Sequence, residues 1–101
     1  MKMLMTVEMP HEPFNALVRS GKVGKTIEHI LDALQPEVVY FTEQDGKRGA
    51  LLVVDVQNPS DIPHFAEPFF LNFEANCKFR ILMSPDDLQK AGLGALGKKW
   101  G

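Results

Sequence analysis

Glu8 and His11 lie three residues apart, a hairpin end would bring Glu43 back toward them, and Tyr40 of the strand before that hairpin joins the sheet face if its register matches. A histidine beside carboxylates is equipped to act as a general base, and a helix starting at His11 would offer backbone N–H groups to an anion. His11, Glu8 and Tyr40 are therefore the catalytic candidates, against the plainer reading of a polar cluster at a helix start. Thr6, Asp55, Lys78 and Arg80 form a second set, in which a few polar groups stand among apolar neighbours as in a small-ligand cavity. The plainer reading of that set is an Asp55–Arg80 ion pair without a ligand, because buried charges require partners.

Other conspicuous residues carry less. Gly24-Lys25-Thr26 ends like a phosphate-binding loop, but that loop needs a glycine where Arg19 stands and a strand where a helix is expected. His11 and His64 are expected at opposite poles, and His29 falls opposite the stripe Ile27, Ile30, Leu31, Leu34. No metal site and no cofactor are expected from them. Cys77, between Ala75 and Phe79, reads as packing rather than a nucleophile, and Phe65, Phe69, Phe70 and Phe73 as core rather than a base-stacking platform.

With 11 basic and 13 acidic residues the formal charge is −2, which argues against nucleic acid or an anionic membrane as partner. The single cysteine excludes an internal disulfide, and Glu8 and Pro10 interrupt the apolar start before a signal-peptide core is complete. A cytosolic location is expected. A chain of 101 residues sustains one core, so a single domain is expected over residues 1–91, with the glycine-rich residues 92–101 as a loosely structured tail.

The elements that must position these residues follow from periodicity. Residues 2–8 alternate as a strand, and Phe14, Leu17 and Val18, then Val23, Ile27, Ile30, Leu31 and Leu34, mark a helix bent or broken at Gly21. Val38–Thr42 and Ala50–Val56 flank Asp45-Gly46 as a hairpin. Ser60 is a plausible N-cap for a second helix that Pro68 should distort or end early. Residues 73–83 alternate as a fourth strand, and Ser84-Pro85-Asp86-Asp87 opens a short final helix stopped at Gly92.

The order βαββαβ predicts an α+β ferredoxin-like fold, a four-stranded antiparallel sheet with strands one and three central and both helices on one face. Strand three is apolar on both sides, so the other face needs a cover, and a second copy packed face to face supplies one. A homodimer is expected, with Leu93, Leu96 and Trp100 of the tail available to extend it, Trp100 being equally placed to close its own domain's core.

The segments Met5–Pro10 and Val39–Val56, in this order of elements, resemble small uncharacterised bacterial proteins of the dimeric α/β-barrel group of the ferredoxin-like fold, over about residues 1 to 90. That group includes muconolactone isomerases, cofactor-free monooxygenases of antibiotic biosynthesis and haem-binding degrading enzymes. The resemblance thus implies the dimer but no single reaction. Three functional readings follow in order: a dimeric module holding a small molecule at its seam; a cofactor-independent isomerase or monooxygenase using His11, Tyr40 or Arg80; and a haem-handling dimer with His11 or His64 as axial ligand.

Overall fold

The computed structural model describes residues 1–101. Strands β1 (Lys2–Met9), β2 (Val38–Gln44), β3 (Lys47–Asp55) and β4 (Asn76–Ile81) form one antiparallel sheet in the order β2-β3-β1-β4. Helices α1 (His11–Arg19), α2 (Val23–Leu34) and α3 (Ile62–Phe73) send Phe14, Ile30, Leu34, Phe65, Phe69 and Phe73 into one core with Met5, Val7, Leu52 and Val54 of the sheet. The architecture is α+β, and the strand order resembles a ferredoxin-like arrangement. No helix is long and apolar enough to cross a membrane.

Local chemistry accounts for the joints. Gly21 adopts φ +75° and closes α1 with two backbone bonds, Gly21 N–H to the Val18 carbonyl and Lys22 N–H to the Leu17 carbonyl, so of the expected bend or break it is the break that forms, between two helices. Asp45 and Gly46 both take positive φ, 52° and 78°, the twist a two-residue hairpin requires, and this pairs Gln44 with Lys47.

Three expectations change. Asn58, not Ser60, caps the approach to α3: it forms a reciprocal pair with Asp61 around a short 3-10 turn over Pro59–Asp61. Pro68 does not shorten α3, which runs on to Phe73. The proline costs only one bond, to the His64 carbonyl near the exposed helix start, whereas continuing the helix buries Phe69 and Phe73. Phe73 consequently belongs to α3 rather than to the last strand, and Glu74, at φ 51°, turns the chain into β4.

After β4 the chain forms α4 (Pro85–Lys90) and α5 (Leu93–Trp100), so the glycine-rich end is helical rather than loose. Ser84 caps α4, its hydroxyl accepting from Asp87 N–H at 3.0 Å while the Asp87 carboxylate accepts from Ser84 N–H at 3.0 Å. That bond holds the Asp87 carboxyl below its ordinary range.

Candidate site on the bare sheet face

Strand alternation divides the sheet into two surfaces, and all three packed helices lie on one. The register orders the other into rows that cross all four strands. One row runs Thr42, Gly49, Glu8, Asn76; the next Tyr40, Leu51, Thr6, Lys78; the third Val38, Val53, Leu4, Arg80. The centre is apolar, with Leu4, Leu51 and Val53 half-buried, and the β4 edge is a cationic border of Lys78 and Arg80.

Thr6, Tyr40, Lys78, Arg80 and Glu8 are thus brought onto one surface, two of them in adjoining positions of a single row. Asp55 lies further along the same face but is engaged elsewhere. Its carboxylate accepts from the Met1 amino group at 2.9 Å and from Gln57 Nε2 at 2.6 Å, and it is paired across the sheet with Lys2, not near Arg80. The bond from the Met1 ammonium holds the Asp55 carboxyl below its ordinary range. The expected Asp55–Arg80 pair is not formed.

His11 does not join the face. Glu12 is extended (φ −110°, ψ 142°), so regular helix starts only beyond it and His11 is exposed. Glu8 is taken by Lys47 Nζ at 3.5 Å and Asn76 Nδ2 at 3.5 Å, and Glu43 by Gly46 N–H at 2.8 Å. The carboxylates expected to flank His11 are therefore committed to other donors. His29 and His64, expected apart, line one groove between α2 and α3 together with Glu67. No set of three or more His, Cys, Asp or Glu side chains is arranged to hold a metal ion. Cys77 sits on the helix side of β4, where burial pushes its thiol up to about 11.

Sequence reading missed the polar hollow at the Glu8 end of the face. Thr6, Glu8, Gln44, Asn76 and Lys78 line a depression of about 150 Å³. Beside it Gly49, paired with Glu8, is closely packed: a Cβ there would meet Gln44 Cβ at 3.0 Å and the Val7 carbonyl oxygen at 3.4 Å. That close approach was legible, since a lone glycine inside a strand marks one and the two-residue turn at Asp45-Gly46 sets its register opposite Thr42. Chemically, the hollow offers carboxylate, amide, hydroxyl and ammonium groups to a small polar molecule.

No protein-family model matches the chain, and no curated protein matches it. Among solved structures it is similar to a de novo designed protein, Ferredog-Diesel, at 7% identity and a TM-score of 0.43, over 79% of this chain and 83% of that one.

Proposed function

We propose that the protein works as a homodimer closed face to face across the bare sheet surface, and that the seam holds a small polar molecule. The observation that carries this is the row pattern: an apolar centre without a cover, bordered by cations on one edge only. Such a surface is too apolar to stay wet and too charged along β4 for an arbitrary partner. Charge also selects the packing. A two-fold axis across the strands would lay β4 on β4 and oppose Lys78 and Arg80 to their own copies, which is repulsive. An axis along the strands lays β4 over the partner's β2 instead, and brings Lys78 to the ring of the partner's Tyr40, a cation–π arrangement.

The same axis sets the two polar hollows at one end of the seam, where they join into a single cavity. Binding without catalysis is the reading favoured. An isomerase or monooxygenase would have to draw on Tyr40, Glu8 or Arg80 there, since His11 lies off the face, and a haem site would have neither His11 nor His64 at the seam.

Light scattering across the micromolar range tests the dimer: a mass of two chains is expected, and a monomer throughout overturns it. Native mass spectrometry of protein purified without denaturation tests the ligand. A bound small molecule lost in Asn76→Leu, which replaces an amide lining the hollow, with the dimer kept, is expected; an empty, densely packed seam overturns that half of the proposal.

A further inference from the structure

Of the lysines and arginines only Lys47 and Arg48 are half-buried, and they differ in one respect. Lys47 is paired with Glu8, whereas Arg48 takes part in none of the molecule's ion pairs. Arg48 lies on the helix side of β3, opposite the buried Met9. Its guanidinium sits 4.3 Å over the Phe14 ring, and Nη1 donates to Asn15 Oδ1 at 2.8 Å. That bond uses one of five N–H groups, on a neutral acceptor. Glu43 stands across from Arg48 in the register, but its carboxylate turns into the hairpin and accepts from Gly46 N–H at 2.8 Å.

The unpaired guanidinium stands at an apolar groove. Met9, Phe14, Ile27 and Phe41 line a groove of about 360 Å³ between α2 and the β2 edge, and Arg48 is the single charged residue that lines it. That volume falls at the low end of small-molecule sites, roughly 300–1,000 Å³. Met9, Ile27 and Phe41 also border a crevice of about 10 Å³ that reaches Phe69 and Phe73 and has only apolar walls. It has room for about one water and no polar partner to hold it. Farther out, exposed Lys22 and Lys25 offset exposed Glu28 and Glu43, so the net charge of the groove is that of Arg48.

We infer that this groove binds a small monocarboxylate with an apolar body, of the medium-chain fatty acid kind. The carboxylate accepts from the free N–H groups of Arg48, and the chain lies along Ile27 and Phe41 toward the inner crevice. A half-buried guanidinium without an anion has lost water and gained no counter-charge, and carboxylate is the partner its planar fork fits best. The apolar body covers walls that include Phe41, 56% exposed. A single unpaired cation suits a single negative charge rather than a phosphate dianion. The groove opens on the helix side of the sheet, so it does not depend on what covers the bare face.

Titration of the isotope-labelled full chain with octanoate, and in parallel with octanol, tests the inference through amide chemical shifts. Octanoate is expected to bind saturably and to move Gly24, Ile27, Phe41 and Arg48, with octanol about tenfold weaker for want of the charge-assisted bond. Arg48→Met is expected to lower octanoate to the octanol level and leave octanol unchanged. Arg48→Lys, which keeps the charge but not the fork, is expected to fall between. Equal affinities of the natural chain for octanoate and octanol overturn the inference without any variant. Undiminished octanoate binding by a folded Arg48→Met overturns it too. Shifts confined to Leu4, Leu51 and Val53 overturn it in favour of the bare face, and the absence of saturation at millimolar octanoate overturns it outright.

Discussion

The two faces of the sheet use nearly the same side chains to opposite ends. On the helix side Leu52 and Val54 of β3 are 0% and 1% exposed, whereas their neighbours Leu51 and Val53, one residue away on the other side, remain half-buried. Met5 and Val7 of β1 are likewise sealed, while Thr6 and Glu8 between them reach a surface edged by Lys78 and Arg80. Strand hydrophobicity therefore does not distinguish the faces; the layer set against each one does. Apolar side chains on the covered face stabilise the monomer, and those on the bare face are available for association.

Four measurements break or sharpen that contrast. Phe73→Ala has the largest expected effect, because Phe73 is fully buried with its ring 5.1 Å from Phe14 and 6.4 Å from Phe69. Urea denaturation should show a loss of about 3–5 kcal/mol; a loss under about 1 kcal/mol would mean that the covered face is not the core.

Leu51→Glu on the bare face should leave the unfolding of the monomer nearly unchanged and raise the dissociation constant of the proposed dimer by roughly a hundredfold, as removal of a residue central to an interface does. If instead it unfolds the chain as Phe73→Ala does, the contrast between faces fails.

Cys77 samples the covered face at its β4 margin, its thiol raised from 9.0 to about 11 by burial. Two pKa units make native alkylation at pH 8 about 100-fold slower than in urea. Because the fold favours the protonated thiol, its contribution to stability is intact below pH 9 and is lost as pH rises toward 11. Equal alkylation rates in native and unfolded protein would show that this margin is wet.

Lys2→Ala is the smallest perturbation. It removes an exposed pair with Glu37 at 3.1 Å and should cost less than about 0.5 kcal/mol in thermal or chemical denaturation. A larger loss would give that end of the sheet a structural weight its exposure does not suggest.

Much of the architecture was legible because its signals are local. Alternation marks β1 and β3, the Asp45-Gly46 dipeptide defines the hairpin and its register, Gly21 ends a helix by its positive φ, and Ser84 with Asp87 builds a cap. Errors arose where tertiary burial outweighs local preference. Pro68 argued for a short α3, and Phe73 alternated in phase with β4, but the core claims both positions for the helix. The site was half legible: alternation puts Thr6, Lys78 and Arg80 on one face without any coordinates. Side-chain pairing was not, since Glu8 has Lys47, Asn76 and His11 all near it in strand order or pairing, and only the fold decides that it bonds the first two.

By itself the sequence determined the element order, the alternation of each strand and the presence of an apolar set with no helix to cover it, because these depend on neighbours a few residues apart. The tertiary structure alone decided that Asp55 bonds the Met1 amino group rather than Arg80, that Thr6, Glu8, Gln44, Asn76 and Lys78 line one hollow and that the α4–α5 arm stands clear of its own core. Those outcomes hang on which distant strands lie side by side, and a pairing register is a property of the assembled sheet rather than of any one strand.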